Sequence, residues 1–244
     1  MFDIEIRKYK DVSLKNGVVI DGFPSIGLVS TISTSYLISN LNLDQVAVLD
    51  SEHFPPISMI YRGKPKFPAR IYASEQRKIA VFSAEFTPNT VLNRAIGQEI
   101  LSWANDHECK MIITIIGRPL TKTGDEKDNY NVVAVGSTEE ANEKIEKSGI
   151  KKLDTGMIAG IPATLLNEGK WKKYDVIALL VNANKDIPDA GASVKILEAI
   201  GRLVPEAKVD LDPLSAEAKR IEEQLKSMRK EVASVQIPSN DMYG

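Results

Sequence analysis

The residues best equipped for chemistry are Asp50, Glu52 and His53, which fall within four positions. Carboxylates beside an imidazole can move protons at neutral pH. With Ser25 and Glu85, which sit near the ends of predicted strands, they define one functional reading: a phosphorylase or hydrolase acting on a small molecule. None of these groups has a recognised catalytic spacing, and Asp50-Ser51-Glu52-His53 reads more simply as a solvated loop. The glycines at Gly22 and Gly27 invite two further tests. A phosphate-binding P-loop places Lys and then Ser or Thr after its second glycine; here Gly27 is followed by Leu28-Val29. A nucleophile elbow is Gly-x-Ser-x-Gly; Gly22-Phe23-Pro24-Ser25-Ile26-Gly27 is one residue too long and puts Pro before the Ser. The two histidines, His53 and His107, have no metal-ligand spacing. The reading is therefore of no catalytic residues, no metal and no cofactor. No ATP site is visible.

The stretch that positions the rest is Val18 to Ile38. Val18-Val19-Ile20 reads as a strand, Asp21-Gly22-Phe23-Pro24-Ser25 as a tight turn, and Ile26 onward as a helix. Its apolar positions Leu28, Val29, Ile32, Tyr36 and Leu37 share one helical face. No charged side chain lies between Gly22 and Leu43. A helix with only Ser and Thr as its polar side is poorly suited to open solvent, so it is expected to be mostly buried, in the core or against another subunit. Gly22, Phe23, Pro24 and Gly27 are the residues assigned to the structural turn.

Composition narrows the function classes. The chain has 244 residues, with 43% hydrophobic and 26% charged, enough for one large globular domain or for a domain plus an appendage. A net charge of −2 gives no field that favours nucleic acid or an acidic membrane. Cys109 is the single cysteine, which excludes an intramolecular disulfide and points to a reducing cytoplasm. Residues 1–17 are charged and lack the apolar stretch of a secretory signal, and no run suits a membrane span.

In chain order, Phe2, Ile4 and Ile6 alternate as a half-exposed strand. Val46 to Leu49 is a core strand, followed by a loop stiffened by Pro55 and Pro56. Ile57 to Tyr61 and Arg70 to Ala73 read as strands around a turn at Arg62-Gly63-Lys64-Pro65. Lys78 to Ala84 is a further strand. An amphipathic helix spans Thr90 to Asp106, with Val91, Ala95, Ile96, Ile100, Trp103 and Ala104 inward. Met111 to Ile116 and Asp175 to Val181 are continuous apolar runs, as in strands covered on both faces. Between them lie a polar, mobile loop at Arg118–Asn131, a strand at Val132–Val135, a helix capped by Thr138, and a helix starting near Pro162. Another helix follows Pro188-Asp189-Ala190-Gly191-Ala192, with Val194, Leu197, Ile200, Gly201 and Val204 inward. Apolar strands alternating with helices predict a three-layer α/β/α sandwich with a mixed, largely parallel sheet.

The end of the chain differs. Residues 1–211 form the α/β domain and 212–233 a helix opened by Asp212-Pro213. Leu214, Ala218, Ile221, Leu225, Met228 and Val232 repeat at heptad spacing, a narrow seam that either packs on its own domain or joins subunits. Residues 234–244 read as a flexible tail.

The turn Gly22-Phe23-Pro24-Ser25-Ile26-Gly27-Leu28-Val29, followed by Tyr36-Leu37-Ile38, resembles the signature of the PAC2 family, the proteasome assembly chaperones and their archaeal relatives. The likeness continues through Phe54-Pro55-Pro56, Pro68-Ala69-Arg70-Ile71-Tyr72, Trp103, Ile116-Gly117 and Pro188-Asp189-Ala190-Gly191-Ala192, covering about residues 15–225. The resemblance implies a fold like that of nucleoside phosphorylases, self-association into a homo-oligomer, and a non-enzymatic role on the proteasome; a shared fold does not bring phosphorylase activity with it. The chain ends in Met242-Tyr243-Gly244. This looks like the hydrophobic-Tyr-X (HbYX) tail with which proteasome activators and archaeal assembly factors dock between α-subunits of the 20S core. The physical fit is direct: an apolar side chain and a Tyr ring bury area, and a terminal carboxylate suits a lysine or a nest of amides. Several tails on one oligomer would bind by multivalency.

Overall fold

The structure, a computed structural model, describes residues 4–119 and 130–218. The chain runs β1 (Glu5–Lys8), β2 (Val18–Gly22), α1 (Val29–Asn40), β3 (Asp44–Asp50), β4 (Met59–Tyr61), β5 (Lys64–Lys66), β6 (Ala69–Ser74) and β7 (Ile79–Ala84). It continues with α2 (Asn93–Asp106), β8 (Met111–Pro119), β9 (Val133–Gly136), α3 (Glu139–Lys147), β10 (Lys151–Lys152), α4 (Ile161–Lys172), β11 (Val176–Ala183) and α5 (Ala190–Leu203). A helical segment at 212–218 follows.

The strands most uniformly apolar occupy the middle of one sheet, because a strand covered on both faces has no polar side to present. The order is β1-β3-β6-β7-β2-β8-β11-β9-β10. β7, β2, β8 and β11 are parallel neighbours. On one flank β3, β6 and β7 form an antiparallel meander with β1 at its edge. On the other, β9 runs antiparallel to β11 and carries β10.

Alternation along each strand feeds two cores. Val18, Ile20, Ile113 and Leu179 point to the face covered by α1, α3 and α5. Val19, Phe82 and Ile112 point to the face covered by α2 and α4, where Ile96, Ile100, Trp103, Ile161 and Leu165 complete the packing. The result is an α/β/α sandwich with a mixed sheet whose four central strands, β7, β2, β8 and β11, are parallel.

Three sequence-based expectations need correction. The turn after Tyr61 does not join two strands of the main sheet. Arg62 and Gly63 both take positive φ, 49° and 73°, the two-residue turn that closes a hairpin, and Tyr61 pairs with Lys64. Met59–Lys66 is thus a separate hairpin, and β6 follows it. In the helix after β7, Val91 is exposed and Leu92 buried instead, because residues 90–92 form a 3-10 turn that changes the phase. In α1 the inward face is not simply the apolar one. Ser30, Ser33 and Thr34 are buried beside Val29 and Leu37, while Leu28 is exposed. Ile32 and Tyr36 are partly buried against the same core. Two of the hydroxyls are satisfied nearby, Ser30 Oγ donating to the Phe23 carbonyl at 2.7 Å and Thr34 Oγ1 to the Ser30 carbonyl at 2.8 Å, while Ser33 Oγ reaches the Ser193 carbonyl at 3.5 Å. Small side chains let the helix lie close to the sheet. A Cβ on Gly22 would come within 2.5 Å of Thr34 Oγ1.

Candidate functional site

The turn after β2 lies at the carboxyl ends of the central parallel strands, where loops from several strands converge. Its base is Asp21, buried in the sheet. One carboxylate oxygen accepts from Thr114 Oγ1 at 2.7 Å and the other from the Phe23 amide at 3.1 Å. Burial nevertheless outweighs these two bonds and lifts the carboxyl from 3.8 to about 6, since a charged form loses its water.

Above Asp21, Ser25 Oγ accepts from the Gly117 amide at 3.2 Å and the Ser30 amide at 3.3 Å, and its own proton is directed to Ser30 Oγ at 3.0 Å. A serine oxygen that accepts from two backbone amides ties the turn to β8 and to the start of α1. Gly27 then adopts φ 67° and Leu28 φ 50°. A Cβ on Gly27 would lie 2.9 Å from both Ala183 Cβ and the Asn184 carbonyl oxygen. The Gly27 carbonyl accepts from the Asp189 amide at 2.8 Å. Asp189 in turn caps α5 by accepting from the Ala192 amide, and its other oxygen accepts from the Asn184 amide, both at 2.9 Å. A Cβ on Gly117 would collide with the Ile26 carbonyl oxygen. Three segments read separately in the sequence (22–29, 116–117 and 188–192) are therefore one knot. Thr114, Ala183 and Asn184 were not singled out from the sequence, because each is an ordinary strand or loop residue until the sheet order is known. The sequence pattern puts Asp21 and Gly22 in the tight turn; in the structure both belong to β2 and the turn begins after them.

The residues of the enzymatic reading are spread over different strand ends. Asp50 closes β3 and meets Arg7 at 3.0 Å, while also accepting from the Ser51 amide at 2.9 Å. Glu85 follows β7 and pairs with Arg70. The His53 amide donates to Ser51 Oγ at 3.3 Å. His107 stacks on Trp103 at 3.9 Å. Cys109 is buried, which pushes its thiol up to about 12. Among the described residues, no group of three His, Cys, Asp or Glu could hold a metal, and no helix is long and apolar enough to cross a membrane.

Of the seam positions, Leu214 and Ala218 are buried in the core that includes α1 and α5 of their own chain. Ile221, Leu225, Met228 and Val232, and the tail residues Met242, Tyr243 and Gly244, lie outside the described residues, as does most of the predicted loop at 118–131.

A mixed sheet with helices on both faces, tied at this glycine turn, defines the class. The PAC2 family model matches residues 19–229, and the chain belongs to that family. It is 25% identical over 232 residues to an uncharacterized protein of Methanocaldococcus jannaschii, covering 95% of this chain and 93% of the relative. Among solved structures it is similar to PbaA of Pyrococcus furiosus, described as an archaeal homolog of proteasome-assembly chaperone. The TM-score is 0.82 at 28% identity, with 95% of this chain and 94% of that one covered. It shares the fold of Pyrococcus furiosus PbaB, described as an archaeal proteasome activator, at TM-score 0.79 and 22% identity, with coverage of 94% and 100%.

Proposed function

We propose that this protein is a non-enzymatic, cytoplasmic partner of the proteasome that binds the α-ring of the 20S core through Met242, Tyr243 and Gly244. A homo-oligomer displays several such tails, and their binding assists α-ring assembly, opens the gate without ATP, or does both. The observation that carries this reading is the hydrophobic-Tyr-X ending on a chain of the PAC2 family. The description of PbaA as a chaperone homolog supports it. The use of Ser25 Oγ, Asp50 and Glu85 in structural contacts favours binding over catalysis.

The test is co-sedimentation with isolated α-rings and with complete 20S cores. Deleting residues 242–244 is expected to abolish binding while leaving the oligomer intact, and amidating the terminal carboxylate to weaken binding strongly. Binding that survives the deletion overturns the reading.

A further inference from the structure

The hairpin β4–β5 buries neither of its faces on the body: five of its six strand residues are exposed and Lys66 is intermediate. A two-stranded hairpin is marginal by itself in water, and this one also displays Ile57, Met59, Ile60 (69% exposed) and Tyr61 (54% exposed). These are four of the ten exposed large apolar side chains among the described residues, gathered within five positions. Scattered exposed apolar residues need no explanation, but a cluster marks a contact surface.

Its chemistry is specific. Arg62 Cζ lies 5.3 Å and Lys66 Nζ 4.7 Å from the centre of the Tyr61 ring. A Tyr ring with two cations against it resembles the aromatic and Arg anchors that dominate protein interfaces. Residues 54–69 contain Arg62, Lys64 and Lys66 and no acid. Taking these three cations from the chain's −2 leaves the remainder at −5.

We propose that this hairpin is a docking arm by which one copy of the chain grips the body of the next, whose net charge is opposite in sign, head to tail. The charge count selects this arrangement. Two hairpins meeting face to face would bring like charges together as they lose water, whereas an arm laid on the body of a neighbour meets opposite charge. A heterologous contact of this kind closes into a ring when its rotation permits. The inference rests on the homo-oligomer proposed above and names the surface that builds it.

The test is light scattering of the full-length chain after size-exclusion chromatography, across a range of concentrations and salt. One variant carries Ile60→Ser with Tyr61→Ser. A second carries Arg62→Glu, Lys64→Glu and Lys66→Glu. Trp171→Ser, which alters an 85% exposed apolar residue elsewhere, is the control. Both arm variants are expected to raise the dissociation constant of the oligomer by about tenfold or more, with unchanged circular dichroism, and the control to leave it unchanged. Because the two variants alter different side chains, either one that folds decides the matter. Wild-type assembly should weaken with salt, as opposite charges are screened. A monomeric wild type, unchanged assembly in the folded arm variants, or equal dissociation by the control overturns the proposal. In an Ile60→Cys variant, efficient short-span crosslinking between the two introduced thiols would overturn the head-to-tail arrangement. Co-sedimentation keeps the two readings apart. If arm variants stay assembled while removal of residues 242–244 still abolishes α-ring binding, the arm fails and tail docking stands.

Discussion

The molecule makes the same backbone move twice, in opposite surroundings. Gly27-Leu28 and Arg62-Gly63 are both consecutive left-handed pairs with one glycine each. Around the first, Ala183, Asn184 and Asp189 leave no room for a methyl group. Around the second, a Cβ on Gly63 would meet nothing within 4 Å. The first pair needs glycine for space and for φ; the second needs it for φ alone. The comparison teaches that the most distinctive turn of the sequence is a fastening inside the fold, while the less distinctive one is free to present side chains.

Substitutions can break or sharpen this contrast. The largest effect is expected at Gly117. A methyl group there collides with backbone, not with a movable side-chain end, so Gly117→Ala should cost more than about 3 kcal/mol or abolish folding; a wild-type denaturation midpoint would refute the enclosed knot. Gly27→Ala combines a strained φ with two 2.9 Å contacts and should cost roughly 2–4 kcal/mol in chemical denaturation.

Asp21 tests the base of the knot through pH. Its folded value, about 6, lies above its ordinary 3.8, so the fold holds the proton more tightly than the unfolded chain. Its contribution to stability is greatest at low pH and falls as pH rises from about 4 to about 6. The full change is on the order of 1–3 kcal/mol. Asp21→Asn should flatten that part of the stability profile, and a slope that survives the substitution would assign it to other groups. The smallest effect belongs to Gly63→Ala, where only φ is strained. A loss of about 1 kcal/mol would lower the melting midpoint by roughly 2–4 °C for a chain of this size. Equal losses at Gly27 and Gly63 would erase the contrast between the two turns.

The parts legible in the sequence were those with a strong period or a local cap. Met111–Ile116 and Val176–Val181 announced central strands by unbroken apolar character, and Thr138 announced its helix; its Oγ1 accepts from the Ala141 amide at 3.0 Å. What stayed hidden depends on neighbours far along the chain. Ser30, Ser33 and Thr34 read as a polar face because nothing local reveals α5, whose Ser193 meets this helix across a hydroxyl-lined contact. The hairpin is hidden in the sequence because Arg62-Gly63 closes two strands that carry no alternation of buried and exposed positions. At the knot, Gly22, Gly27 and Gly117 were visible as residues, but their convergence follows only from the placement of β2 beside β8 and β8 beside β11.

That placement also shapes how the chain is made. β11 is the final strand of the sheet in chain order, yet it enters between β8 and β9. On the ribosome, the meander of β3, β6 and β7 can close early from nearby contacts. β8, which ends at Pro119, then waits with one backbone edge open until Val176–Ala183 has emerged. An uncovered edge is the element most prone to pair with a wrong neighbour. The late arrival of one strand thus sets a window of vulnerability during translation, which closes only when the last quarter of the nascent chain begins to appear.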